Sequence, residues 1–103
     1  MKDLNSLMKQ AQQMQAKMEE FQRSLSEKLV TGEAGGGMVK FTMTGMMDPR
    51  KLEIDPSLYE EEDKEILNDL IIAAARDAIR KIDDLKRTGM GSITGGLNLP
   101  GGL

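Results

Sequence analysis

Residues 28 to 55 read KLVTGEAGGGMVKFTMTGMMDPRKLEID, and this stretch decides the fold. Met38 to Thr44 alternates, with Val39, Phe41 and Met43 on one face and Lys40, Thr42 and Thr44 on the other. That period of two is the signature of a half-buried strand. Upstream, Leu29 to Ala34 predicts a weaker strand, and Gly35-Gly36-Gly37 between the two predicts a turn. Downstream, Gly45 to Pro49 predicts a second turn and Arg50 to Asp55 a third strand, with Leu52 and Ile54 facing inward. Three strands with one apolar face need a cover.

In a chain of 103 residues that cover has to come from the flanking segments. Residues 3 to 26 predict one long helix. Leu4, Leu7, Ala11, Met14, Met18, Phe21 and Leu25 follow an unbroken heptad a/d spacing, and no Gly or Pro interrupts them. Asp3 stands where an N-cap belongs. The seam could lie on the chain's own sheet, on another helix of the chain, or across a dimer. Its e and g positions are mostly uncharged (Met8, Gln15 and Gln22; Gln10, Lys17 and Ser24), so they hold little charge code for choosing a partner.

Residues 56 to 88 predict a second helix, entered through Asp55-Pro56-Ser57 and an acidic run, with its start anywhere from Ser57 to Asp63. Leu67, Leu70, Ile71, Ala74, Ala75, Ala78, Ile82 and Leu85 form its apolar stripe, and the alanines allow another backbone to come close. Gly89 is expected to stop it. The reading is therefore one domain over residues 1–88, and a flexible Gly-rich tail over 89–103 whose Ile93, Leu97, Leu99 and Leu103 could dock transiently. The fold class is α+β: a long N-terminal helix, a three-stranded antiparallel sheet and a long C-terminal helix, in a dimer.

Composition narrows the function. There is no Trp, one Tyr and two Phe, so nine Met must share the packing with Leu, Ile and Ala. Met fills gaps but specifies geometry poorly, which favours stabilisation by a partner subunit. With no Cys there is no disulfide or thiolate chemistry, and with no His the commonest general base and metal ligand is missing. Gly32 to Gly37 is no phosphate loop, because no Lys-Ser or Lys-Thr follows and the next element is a strand. The carboxylates from Asp55 to Asp63 lack the ligand spacing and Gly of a calcium loop. No catalytic, cofactor or metal residue is predicted, and the expectation is a non-enzyme without cofactor or small-molecule substrate. Polar residues break up every apolar run, so neither a secretory signal nor a membrane span is read, and the expected location is the cytoplasm.

The net charge is −3, yet the bases are grouped. Lys2, Lys9 and Arg23 share the heptad f position of the first helix, with Lys17 nearby. On the second, Arg76, Arg80 and Arg87 lie along one side, with Lys81 and Lys86 beside them. A net-negative chain can still present positive stripes of this kind.

Four segments in order, MKQAQQMQAKMEE, GEAGGGMVKFTMTG, IDPSLYEEEDKEILNDLIIAAARDAIRK and GSITGGLNLPGGL, span essentially the whole chain. Taken together they resemble the YbaB/EbfC family of bacterial nucleoid-associated proteins. The resemblance implies a helix–three-strand–helix fold and a homodimer whose helices project like tweezers. It further implies DNA binding, sometimes with modest sequence preference, and roles in organising the nucleoid or regulating genes; the reading adopted is binding of double-stranded DNA with little sequence preference. Carried onto this chain, the DNA-contacting candidates are Lys2, Lys9, Lys17, Arg23, Arg76, Arg80, Lys81, Lys86 and Arg87. The dimerisation candidates are Leu7, Met14, Met18, Phe21, Phe41, Ile71 and Ala75. The rival reading is a protein-binding adaptor that engages its partner through the Met-rich helices and the acidic surface.

Overall fold

The computed structural model describes residues 3–94, and the elements run α1 (Leu4–Glu27), β1 (Leu29–Ala34), β2 (Val39–Thr44), β3 (Pro49–Ile54), a 3-10 helix (Pro56–Glu60) and α2 (Lys64–Thr94). The sheet is antiparallel in the order β1-β2-β3. Val39 stands opposite Ala34 and Ile54, and Phe41 opposite Gly32 and Leu52. The register slips by one residue between Thr42 and Met43, so that Met43 pairs with Pro49. Gly35, Gly36 and Gly37 all take positive φ, which explains the triple glycine between β1 and β2.

The predicted alternation is what the core uses. Val39, Leu58 and Ala74 make one buried cluster and Met43, Ala78 and Ile82 a second, and Phe41 touches both. Val39 and Ile82 are completely buried; truncating Ile82 to Ala would cost roughly 2–5 kcal/mol. The 3-10 helix enters through Asp55, whose carboxylate accepts from the Ser57 N–H at 2.9 Å, and it contributes Leu58 to the core. α2 then starts afresh at Lys64, one residue beyond the predicted range, with Asp63 accepting from the Glu65 N–H at 2.9 Å as a cap.

α2 packs over β1 and β2 and leaves β3 to one side. The approach to β1 is close: a Cβ on Gly32 would stand 2.1 Å from the Ala74 carbonyl oxygen and 2.3 Å from the Ala78 nitrogen. The free edge of β1 is occupied as well. The Glu33 N–H donates to Asp77 Oδ2 at 2.9 Å, and Lys81 Nζ donates to the Thr31 carbonyl at 2.8 Å.

Two expectations are corrected. Gly89 does not stop α2, which continues to Thr94. A Cβ on Gly89 would sit 2.0 Å from Phe21 Cε1, so this glycine is the notch that receives the Phe21 ring. Leu52 is on the core side of β3 but is 45% exposed, because α2 does not reach over it. The expectation of a flexible tail falls, from residue 95 onward, outside the described residues.

The molecule is long rather than round, 73 × 27 × 16 Å, with a radius of gyration of 19.9 Å. A compact chain of this length would have about 13 Å. α1 is the reason. Asp3 caps its start, accepting from the Asn5 N–H at 3.1 Å, and the Gly45 N–H closes its end, donating to the Leu25 carbonyl at 2.9 Å. Among the described residues, its C-terminal half touches the rest of the molecule, and the first turns stand away as an arm whose residues are exposed.

Candidate nucleic-acid interface

The helix pair is built from the contact of Phe21 with Gly89. Met18, Phe21 and Leu25 border one side of it together with Met46, Lys86 and Met90. Lys17, Glu20 and Ser24 border the other with Ser92 and Ile93. Earlier residues of α1 thus meet later residues of α2, so the helices run antiparallel. Over its second half the heptad seam turns toward α2, with Leu25 buried and Met18 and Phe21 half-buried.

At 100° per residue, Lys9 and Arg23 fall on the side of α1 turned away from α2. By the same rule Arg76, Arg80 and Arg87 fall on the side of α2 turned away from both the sheet and α1. The two basic rows therefore look outward from opposite sides of the molecule. One chain does not bring them together on a single surface.

Their electrostatic states also differ. Lys9, Lys17, Arg23 and Arg76 are exposed and form no salt bridge among the described residues. Arg87 makes a loose i,i+3 contact with Asp84 at 3.5 Å and is 79% exposed. Arg80 and Lys81 both pair with Asp77, Lys81 at 3.2 Å. The Glu33 N–H, together with the Arg80 and Lys81 side chains, holds the Asp77 carboxyl far below the usual carboxylate range, and Asp77 in turn raises Arg80. Lys81 is thus tied to the edge of β1 as well as to Asp77. Lys86 is half-buried in the cleft with Met18, Gln22, Met46 and Met90. Lys2 lies outside the described residues.

Of the dimerisation candidates, Phe21 packs on Gly89 within the chain, and Met18 is half-buried at the border of the cleft beside it. Leu7 and Met14 lie on the projecting arm. Phe41, Ile71 and Ala75 are half-buried and border the open side of the sheet. Beside them sequence reasoning missed a feature. Ile72, 51% exposed, and Ile79 extend the apolar stripe of α2 around the helix, toward the uncovered Leu52. Because α2 covers β1 and β2 but not β3, these exposed apolar side chains and Leu52 bound what we term the trough between α2 and β3. Its signal was available in the spacing of Ile72, Ala75 and Ile79, which widens the stripe beyond what one sheet face can cover.

A model of the YbaB/EbfC DNA-binding family matches residues 1–97. The chain belongs to this family. A solved structure shares the fold: the uncharacterized protein HP0035 from Helicobacter pylori is similar with a TM-score of 0.72 and 24% identity, over 85% of this chain and 92% of that one. At that identity the likeness concerns the fold, and it agrees with two helices flanking a three-stranded antiparallel sheet. Among the described residues, no helix is long and apolar enough to cross a membrane, and no group of acidic residues could hold a metal ion.

Proposed function

We propose that this YbaB/EbfC chain pairs with a second copy through the trough between α2 and β3, and that the dimer holds double-stranded DNA by its phosphates with little reading of base sequence. The supporting observation is the set of exposed cations without salt bridges among the described residues, Lys9, Lys17, Arg23 and Arg76, on the helices of a chain whose family is a DNA-binding one. Arg87 joins them, being only loosely held. Phosphate contacts of this kind position a protein on DNA without carrying sequence information. Pairing matters because each row on its own is short. A two-fold axis repeats each row, and about three phosphate contacts per chain become about six. The trough suits the role: Phe41, Leu52, Ile71, Ala75 and Ile79 offer an apolar, uncharged surface that a symmetric copy would bury. The reading extends to organisation of the nucleoid and control of gene expression as consequences of such binding.

The test is a fluorescence anisotropy titration of two unrelated labelled duplexes at several salt concentrations. Similar binding to both, weakening steeply with salt, is the expected result. Failure to bind either at low salt would sink the proposal and return attention to a protein partner.

A further inference from the structure

The contact that holds α1 against α2 is rich in thioethers. Phe21 sits in the Gly89 notch. The cleft beside it, about 190 Å³ in volume, is bordered by Met18 from α1, Met46 from the turn between β2 and β3, and Met90 from α2. Met18 precedes Phe21 by about one turn of helix and Met90 follows Gly89 directly, so the two flank the notch in sequence as well. Two of these side chains are open to solvent: Met46 is 51% exposed and Met90 36%, against 4% for Met43 in the core.

Nearer its end α1 is pinned independently. Leu25 is buried, and its carbonyl accepts from the Gly45 N–H. Farther up, the attachment to α2 is apolar packing around Phe21, and among the described residues no salt bridge joins the two helices. A change in the polarity of the cleft methionines therefore acts on the attachment itself. Three thioethers also invite a soft cation such as Cu(I). The Lys86 ammonium borders the same cleft and repels a cation, whereas hydrogen peroxide is neutral.

We infer that Met46 and Met90, followed by Met18, are a modification site for hydrogen peroxide, and that their sulfoxides release the middle of α1 from α2. A sulfur lone pair takes one peroxide oxygen as the O–O bond breaks, that oxygen's proton passes to the departing hydroxide, and water leaves. The sulfur is oxidised by two electrons and the peroxide reduced by two. A flexible apolar side chain becomes a polar, chiral one. Closing a sulfoxide into an apolar cleft strips it of water, so the oxidised chain favours the open cleft. Phe21 then leaves the notch, and α1 stays fixed through its last turn. Methionine sulfoxide reductases working with a dithiol restore the thioethers, giving disulfide and water, and the contact closes again. The release is independent of whether the chain binds DNA.

The natural protein is treated with dilute hydrogen peroxide, and each methionine is followed by peptide mass spectrometry. Met46 and Met90 should oxidise several-fold faster than Met43. Hydrogen exchange of residues 14–24 should then rise several-fold, while that of β2 stays as it was. Met18→Leu/Met46→Leu/Met90→Leu keeps the size and apolar character of the cleft and should not respond to peroxide. Met8→Leu/Met47→Leu removes exposed sulfurs that do not border the cleft, and should respond like the natural chain. Met46→Gln/Met90→Gln is polar without oxidant and should show the faster exchange from the outset. Exchange unmoved by oxidation, or a response that persists in the triple leucine variant, would overturn the inference. So would a response lost with Met8 and Met47, slow exchange in the glutamine variant, or oxidation of Met46 and Met90 no faster than that of Met43.

Discussion

Asp77, on α2, accepts a hydrogen bond from the backbone N–H of Glu33, on the free edge of β1, at 2.9 Å. With Lys81 donating to the neighbouring Thr31 carbonyl, a carboxylate and an ammonium cover the polar groups that an edge strand would otherwise offer to another chain. Removing the carboxylate should uncover that edge. Asp77→Ala, which leaves no acceptor for the Glu33 N–H, is expected to lower the melting temperature by several degrees and to increase aggregation on heating, read by circular dichroism and light scattering. A variant that melts and scatters like the natural protein would show that the cap is incidental.

The same carboxylate predicts a pH dependence. Its folded pKa is depressed, so its contribution is fully present above its unfolded value, near 4, and is lost as pH falls through the much lower folded value. The difference in melting temperature between the natural chain and Asp77→Asn should therefore be constant from pH 7 to about pH 5 and shrink below about pH 4. A difference that stays constant down to pH 2 would contradict the assignment.

Gly89 gives a test with two opposing terms. Ala in mid-helix gains about 1 kcal/mol over Gly, but here its Cβ would strike the Phe21 ring, and such overpacking costs roughly 1–3 kcal/mol. Gly89→Ala should be destabilising in urea denaturation. The same substitution in a Phe21→Ala background should be stabilising by about 1 kcal/mol, which makes the pair a double-mutant cycle for the helix contact.

For DNA, the free and the committed cations should behave differently. The about six phosphate contacts of the proposed dimer would give a slope of log affinity against log salt of very roughly −5. Replacing Lys9 and Arg23 by Glu should weaken binding uniformly across sequences and flatten the slope by about 1 for each phosphate no longer neutralised. Lys81→Gln, by contrast, should lower stability and leave the slope almost unchanged, since Lys81 is engaged with Thr31 and Asp77.

Pairing through the trough is tested by charge. Ile79→Glu, at an exposed site outside the buried clusters, should leave the circular dichroism spectrum unchanged and convert the dimer to monomer in sedimentation equilibrium. Its DNA affinity should fall by at least tenfold, because a monomer offers half as many cations to the phosphates. Persistence of a dimer would place the two-fold axis elsewhere.

Much of the architecture was legible because it depends on local periodicity. Val39, Phe41 and Met43 needed only an alternating pattern to be assigned to one face, and the heptad of α1 needed only its spacing. The parts that were not legible depend on contacts distant in sequence. Asp77 reads as an ordinary i,i+3 and i,i+4 partner of Arg80 and Lys81; nothing local reveals that its strongest neighbour is a backbone N–H 44 residues away. Gly89 carries the usual signal of a helix end, and only the position of Phe21 makes it a mid-helix notch. The basic rows were visible, but their facing in opposite directions follows from the antiparallel helix contact.

The 73 Å length of the chain has a further meaning beside a duplex. The grooves of B-DNA repeat every 34–36 Å or so, so one chain laid along the axis spans about two helical repeats, or roughly twenty base pairs. Its two ends then meet the duplex at the same rotational phase. If the proposed DNA binding holds, a molecule of that span would set a minimum spacing between neighbours on the same face of a duplex.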